Sequence, residues 1–220
     1  MDFAETEDQK MIRGMVREFA EDVAGPTCNK RDKEQIAPIE EFKKFAELGF
    51  AGMTIPEKYG GQKLDDISEA IVVEELSRVD PSLGVMIAVH VGLCSMTIAL
   101  SGNEEQKEKY LPKLASGEFL GAYSLSEAGS GTDAAAMVAR ATDDGEHYTL
   151  NGEKMWVTNG TTADLFVLFA KVTDHPDYGK KSHGGVTCFI IEKGFEGFEI
   201  GKKEDKLGIR SSDTCTLILN

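Results

Sequence analysis

Residues Tyr123 to Asp133 read Tyr-Ser-Leu-Ser-Glu-Ala-Gly-Ser-Gly-Thr-Asp, and they lie close to the point where the chain changes from helical to extended periodicity. Gly129 and Gly131 allow sharp backbone turns, and four hydroxyl groups surround them. Such a loop suits an anionic group, because N–H and O–H donors can converge on it. The same composition is typical of a simple connector. The loop alone leaves both interpretations open, although its spacing excludes a P-loop and the Gly-x-Gly-x-x-Gly fingerprint.

The chain before this loop predicts an amino-terminal helical domain over residues 1–117. Thr6 and Gln9 form a capping-box pattern ahead of an apolar helical stripe, which we expect to end near Gly25-Pro26. Asp80-Pro81 is typical of another helix start. Further helices are predicted at 38–48, 67–79 and 103–113.

One predicted helix, Leu83 to Leu100, is apolar on nearly every face. A membrane span and a central bundle helix are the alternatives. Polar residues interrupt the segment and it falls short of about twenty residues, so we favour the central helix and predict no membrane span. His90 within it is either a ligand or base, or a core histidine satisfied by hydrogen bonds, and the second is favoured.

After residue 117 the hydrophobic period shortens, which predicts a middle β domain over residues 118–220. Asn151-Gly152 has the composition of a hairpin turn. Helices followed by strands, without alternation, indicate an α+β multidomain chain: an all-α helical bundle, then a small antiparallel β-barrel or sandwich. Strands are predicted at 119–125, 137–142, 147–150, 154–158, 165–172, 187–192 and 215–219.

The composition excludes several classes of function. A net charge of −14 argues against a nucleic-acid surface, which needs clustered Lys and Arg. The four cysteines form no Cys-x-x-Cys pair, so neither a metal site nor a disulfide framework is indicated. The first residues are acidic where an export or organelle signal is basic, so we expect a cytoplasmic protein, or a mitochondrial-matrix one if this is a processed eukaryotic form.

Three motifs in order carry a family resemblance. They are the Tyr123–Asp133 loop, the segment from Tyr148 to Gly160 that contains Trp156-Val-Thr158, and Lys202-Lys-Glu-Asp-Lys-Leu-Gly-Ile-Arg-Ser-Ser212. Together they resemble the acyl-CoA dehydrogenases, flavoenzymes of fatty-acid metabolism, and the likeness spans the whole chain. The last motif resembles short-chain, butyryl-CoA-type members. Members of the family continue with a carboxy-terminal helical bundle, so we expect this sequence to correspond to the first two of three domains.

In that family the loop after the first strand and the Trp-x-Thr strand bind FAD. The resemblance implies that Ser126 hydrogen-bonds the pyrimidine end of the flavin, Thr132 the pyrophosphate, and Thr158 atom N5. Trp156 would cover the ring. The implied cofactor site comprises Tyr123, Leu125, Ser126, Gly131, Thr132, Trp156, Val157 and Thr158.

The substrate would be an acyl-CoA, with Thr132, Ser182 and His183 as implied contacts. Ser182 and His183 lie in a polar loop predicted over residues 174–185, and Lys180, Lys181 and His183 are equally well explained as a solvated charged tip of that loop. The family commonly has Pro where Ala128 stands and Ser where Thr132 stands. Thr keeps the hydroxyl, whereas Ala128 loses the φ restraint of proline and so concerns only the rigidity of the loop.

The implied reaction removes an α-proton with a carboxylate while a hydride leaves the β-carbon. The family's catalytic glutamate lies in the carboxy-terminal domain, so we assign no catalytic residue here and expect the chain alone to be inactive. Glu127 is expected to order its turn instead. The implied partners are electron-transfer flavoprotein as acceptor and, at full length, three further copies in a homotetramer.

Two other functions remain open. An acyl-CoA oxidase would share the fold and differ by rapid peroxide production. A non-catalytic acyl-CoA- or protein-binding module would use the loop glycines only as architecture.

Overall fold

A computed structural model describes residues 4–220, so Met1, Asp2 and Phe3 of the acidic amino-terminal segment lie outside the described residues. The chain divides into two compact units. The first contains the described residues up to Leu120 together with Asp205–Asp213, and the second contains Gly121–Glu204 with Thr214–Asn220. The predicted division at 117/118 differs by three residues, and it placed the returning segment in the second domain.

The first unit begins with a helix that runs past its predicted end. Thr6 and Gln9 form the capping box of helix α1 (Glu7–Phe19), as predicted. A π-helical turn, Ala20–Ala24, then leads directly into α2 (Gly25–Glu34), so the predicted end at Gly25-Pro26 is wrong. Proline has no N–H to donate, and it is tolerated here because it lies in the first turn of α2.

Five more helices complete the first unit. Gln9, Ile12, Val16 and Phe19 form the buried face of α1. Asp80 accepts hydrogen bonds from the N–H groups of Ser82 and Leu83 and so caps the helix that begins at Pro81, as predicted. The remaining helices are α3 (Ile39–Glu47), α4 (Asp66–Val79), α5 (Pro81–Ala88), α6 (Met96–Ser101) and α7 (Glu104–Ala115), with short 3-10 turns at Phe50–Gly52 and Glu57–Tyr59.

The apolar run from Pro81 to Ser101 is one continuous helical segment, α5 and α6 joined by π-helical residues Val89–Ser95. By length and composition alone it could cross a membrane. Leu83, Met86, Ile87 and Val91 belong to the core of the first unit, as expected of a central helix. His90 is buried with its Nε2 3.2 Å from the Leu114 carbonyl, and burial lowers its pKa to about 4. It is therefore a neutral core histidine.

An ion-pair cluster joins α1 to α4. The Glu75 side chain is only 2% exposed and lies 2.8 Å from Arg17 and 2.5 Å from Arg13. Hydrogen bonds from Arg17 first, and from Arg13, lower the pKa of Glu75 to about 2 despite its burial. A carboxylate whose pKa is depressed by folding stabilises the folded state at neutral pH.

The stability of the first unit is therefore expected to fall with acid. The contribution of Glu75 is complete above its ordinary pKa of 4.5 and is lost as the pH falls towards about 2. Glu75→Gln should lower the free energy of unfolding at pH 7 by roughly 2 kcal/mol, and this deficit should shrink by pH 3. Urea unfolding at both pH values measures it. Glu74→Gln, at a carboxylate that is 66% exposed, is the control, and equal effects of the two variants would contradict the assignment.

The second unit is one seven-stranded mixed sheet. The strands are β1 (Gly121–Ser124), β2 (Arg140–Asp143), β3 (Tyr148–Thr158), β4 (Leu165–Val172), β5 (Val186–Glu192), β6 (Phe198–Lys203) and β7 (Thr214–Leu219). Strand β4 is the centre of the sheet: β1 and β2 pair with it in parallel, at residues 165–168 and 171–172, and β5 pairs with it antiparallel. Strands β2, β3, β7 and β6 then follow in antiparallel pairs.

This topology corrects the predicted antiparallel barrel or sandwich. Two pairings are parallel, and among the described residues no pairing joins β5 to β6, so the sheet is not closed. Periodicity predicts that a strand exists, but not its partner or direction. The helical-then-strand order is as predicted, and β6 was missed.

Asn151-Gly152 is not a hairpin turn. Both residues lie inside β3, and the β2–β3 connection falls at 144–147 instead. Gly152 has φ of 149°, and a Cβ built there would lie 2.8 Å from Cα of Ala139. This glycine is needed for close approach between backbones, not for a turn.

Candidate functional site

The loop after β1 is a tight turn closed by its own backbone. Glu127 N–H donates to Ser130 O at 2.8 Å, and Ser130 N–H donates to Glu127 O at 3.1 Å. The buried Ser130 hydroxyl donates to Asp133 O at 2.9 Å. The Ser130 hydroxyl is therefore used within the loop and is not available to a ligand.

The tip of the loop is open. A Cβ built on Gly129 or Gly131 would meet no atom within 4 Å other than those of the glycine and its two chain neighbours. Gly131 and Thr132 are exposed, and within residues 4–220 their N–H groups donate to no protein acceptor. These main-chain donors, with the Thr132 hydroxyl, are free for an anionic ligand.

Trp156 projects from a β-bulge. The register of β3 against β7 shifts between Lys154 and Val157. The buried side chains on either side of this shift, Lys154 and Val157, are therefore three residues apart, whereas in a regular strand they would be two or four apart. Trp156 has φ of 56° and its indole is 62% exposed. A bulky residue in the left-handed region is strained, and such strain is characteristic of functional sites.

The bulge is tied to the loop. Met155 N–H, one residue before Trp156, donates to Ser126 O at 2.9 Å. Lys154 Nζ lies 3.0 Å from Leu125 O and 2.7 Å from Glu127 Oε1. The exposed indole and the open loop are thus parts of one local structure within the second unit.

The other predicted cofactor residues differ in what they offer. Tyr123 is half-buried on β1 with its ring 5.3 Å from that of Phe169, and burial raises the pKa of its hydroxyl. Leu125, Ser126 and Thr158 are half-buried. Val157 is 1% exposed and belongs to the core, so only its backbone can contact a ligand.

A buried carboxylate supports the loop from beneath. Glu127 accepts hydrogen bonds from the N–H groups of Val138 at 2.6 Å and Ala139 at 3.0 Å, besides the Lys154 ammonium. Burial by itself would raise the pKa of Glu127, but these donors outweigh it and the pKa lies below its ordinary value. Burial lowers the pKa of Lys154, against the opposing effect of Glu127. Glu127 therefore orders the turn, as the sequence analysis expected.

A cavity of about 800 Å³ lies beside the loop in the same unit. It is lined by Ser182 and by Asp133, which follows Thr132, whereas His183 is exposed outside it. Four cations and one carboxylate line it, a positive balance in a chain of net charge −14. The charged lining residues are Asp133, Arg140, Lys171, Lys180 and Lys181.

Sequence reasoning missed two supports of the site. Asn159, fully buried with φ of 65°, donates from Nδ2 to Gly121 O at 3.0 Å and so joins the end of β3 to the start of β1. Lys154 has a fully buried side chain. The Asn-Gly pair after Thr158 was an available signal for the first, but nothing local marks a lysine as buried.

These residues fit a flavin. The exposed indole offers a flat apolar surface for an aromatic ring system, and the open loop offers neutral donors for a pyrophosphate. The Ser124 hydroxyl, 0% exposed, has no hydrogen-bond partner within the described residues, so an unsatisfied polar atom lies at the end of β1. The residues can hold and cover a ring system, while the redox chemistry would belong to the cofactor.

Two family models match the chain. The acyl-CoA dehydrogenase amino-terminal domain matches residues 6–118, and the acyl-CoA dehydrogenase middle domain matches residues 122–220. Similar proteins include the short-chain-specific acyl-CoA dehydrogenase of Clostridium acetobutylicum, 46% identical over 99% of the chain and 56% of the relative. Mitochondrial isovaleryl-CoA dehydrogenase of Pongo abelii is 41% identical over 97% of the chain and 50% of the relative.

Solved structures give the same result. Butyryl-CoA dehydrogenase from Megasphaera elsdenii has a TM-score of 0.90 and 39% identity, covering 100% of this chain and 57% of that one. An acyl-CoA dehydrogenase from Bacillus anthracis complexed with FAD has a TM-score of 0.87 and 38% identity, and the match covers 98% of this chain and 36% of that one. The chain therefore spans about half the length, or less, of the relatives it matches.

Proposed function

Because the chain belongs to the acyl-CoA dehydrogenase family, we propose that it carries the FAD site of an enzyme that oxidises acyl-CoA thioesters, of the short-chain type. The observation that carries this proposal is the strained, exposed Trp156 joined to an open, donor-rich loop. A protein does not maintain an exposed indole at positive φ without a compensating gain, and a bound ring system supplies one.

Each residue then has a distinct task. Trp156 covers the ring, Ser126 and Thr158 donate to its polar edge, and Gly131 with Thr132 holds the pyrophosphate. When bound, FAD supplies the group that accepts a hydride. The chain's own contribution is to bind, to orient and to keep water from the ring.

The positively charged cavity supports an acyl-CoA substrate. CoA carries phosphate groups at the end remote from its thioester, and Arg140 and Lys180 side chains have no ion-pair partner within the described residues. Ser182 lines this cavity and is proposed as a substrate contact. Thr132 and His183 do not line the cavity, and they are proposed as contacts because each is adjacent in sequence to a lining residue, Asp133 or Ser182. The cations attract the phosphates by long-range electrostatics.

No catalytic base is assigned. The carboxylate oxygens of Glu127 accept hydrogen bonds from the Lys154 ammonium and two N–H groups, so we assign Glu127 a structural role in the loop and not the role of the base. Electron-transfer flavoprotein as acceptor, homotetrameric assembly of the full-length protein and a cytoplasmic location are proposals. We expect that the chain alone loses FAD during gel filtration and does not reduce a dye with butyryl-CoA.

Direct FAD titration tests the proposal. The chain has one tryptophan, so quenching of Trp156 fluorescence reports this site alone. Saturable quenching by FAD is the expected result, and no quenching at any FAD concentration would contradict the flavin site. The alternative of an acyl-CoA-binding module is favoured by a single outcome: calorimetric binding of butyryl-CoA together with no response to FAD. An oxidase is distinguished in the full-length protein by rapid peroxide production from air.

A further inference from the structure

We propose that the buried Lys154–Glu127 ion pair is the positioning device of the site, fixing the loop after β1 and the Trp156 bulge relative to each other. This inference rests on the proposed flavin function. It concerns residues that the family resemblance did not assign a role toward the cofactor.

The pair is fully enclosed and joins separate segments. The Lys154 side chain is 0% exposed and that of Glu127 is 4% exposed, with 2.7 Å between Nζ and Oε1. Lys154 also donates to Leu125 O at 3.0 Å. The Glu127 carboxylate in turn accepts hydrogen bonds from the N–H groups of Val138 and Ala139, the residues that precede β2. One ammonium and one carboxylate therefore connect the loop, β3 and the approach to β2.

Little else holds the loop in place. From Ala128 to Asp133 only Ser130 is buried, and it bonds within the loop. The Met155–Ser126 hydrogen bond is the other link described between the loop and the bulge. Without the pair, Ser126 and the open N–H groups of residues 131–132 would be positioned relative to Trp156 only by this backbone contact and by the Asn159–Gly121 hydrogen bond at the far end of β1.

An ion pair suits this task better than an apolar contact. Burying two charges costs free energy that apolar side chains of similar size would not, so stability alone does not explain the pair. Charged hydrogen bonds are directional, and they fix the distance and orientation of the groups they join. A ligand site needs side chains held to within about 0.5 Å, which supporting hydrogen bonds supply.

The test compares the loss of positioning with the loss of stability. Lys154→Met keeps an unbranched side chain that is one atom shorter and removes the charge. Lys154→Met with Glu127→Gln also removes the charge that would be left unpaired. Asp80→Asn is the matched control, because Asp80 pairs with Arg31 in a buried cluster of the first unit. Three quantities are measured for each: the unfolding midpoint, acrylamide quenching of Trp156 in the FAD-free chain, and the FAD dissociation constant.

Lys154→Met is expected to change Trp156 quenching and to weaken FAD binding by roughly tenfold at a temperature where the protein stays folded. The double variant should recover the unfolding midpoint but not FAD affinity. Asp80→Asn should lose stability while Trp156 quenching and FAD affinity stay within twofold of the parent.

Two results overturn the inference. One is Lys154→Met with Trp156 quenching and FAD affinity both unchanged. The other is a double variant whose FAD affinity returns together with its stability, since the pair would then act only on folding. Absence of FAD binding by the parent chain contradicts the proposed function instead, and the FAD-free quenching comparison still decides whether the pair positions Trp156.

Discussion

Trp156→Gly is expected to weaken FAD binding by roughly 100-fold, since stacking on an aromatic side chain is worth about 1–3 kcal/mol and the cover of the ring is lost. The same change should leave the free energy of unfolding within about 1 kcal/mol of the parent. The indole is 62% exposed, so little burial is lost, and glycine adopts the φ of 56° without strain. Flavin fluorescence titration and urea unfolding measure the two quantities.

A loss of FAD affinity without a matching loss in the free energy of unfolding would show that Trp156 acts on the ligand and not on folding. Phe195→Ala is the matched control, because this aromatic of the second unit is also about half exposed, at 49%, but belongs to no assigned cofactor contact. It should leave FAD affinity unchanged. If Trp156→Gly unfolds the chain, or if FAD affinity survives in it, the indole is a structural residue and not the cover of a flavin.

Reversing the charge of the cavity is the second large effect. Arg140→Glu with Lys180→Glu changes four cations and one carboxylate into two cations and three carboxylates. Affinity for CoA is expected to fall roughly 100-fold at low ionic strength, and by less as added salt screens the charges. Calorimetry with CoA at two salt concentrations measures this dependence.

The control for this prediction matches its charge change. Lys193→Glu with Lys202→Glu alters the net charge by the same amount on residues that do not line the cavity. A similar loss of CoA affinity in both double variants would mean that only the overall charge of the protein matters. A loss in neither would place the phosphates of CoA elsewhere and would leave Ser182 without support as a contact.

Most local signals in the sequence were accurate, although Gly25-Pro26 does not end the first helix. The capping box at Thr6, the Asp80 cap and the limits of β4 all appear as predicted. Each depends on hydrogen bonds or periodicity within a few residues. The open, hydroxyl-rich loop was likewise evident, because its glycines and polar side chains are contiguous.

Long-range features were not evident. Asn151-Gly152 has the composition of a turn, but the approach of Ala139 decides that it lies within a strand. The segment Asp205–Asp213 follows strands in the chain yet clusters with the helical unit, where Arg210 N–H donates to Asp32. Parallel pairing of β1 and β2 with β4 also joins residues distant in sequence.

By itself, the sequence determined the helical-then-strand order, the family and the open, hydroxyl-rich composition of the loop after β1. Only the tertiary structure decided that Lys154 is buried against Glu127, 27 residues away, and that a bulge turns Trp156 outward. The physical reason is one of range. Caps and periodicity are settled by neighbouring groups, whereas a charge can be buried only where a partner and hydrogen-bond donors converge on it, and those come from segments that meet only after folding.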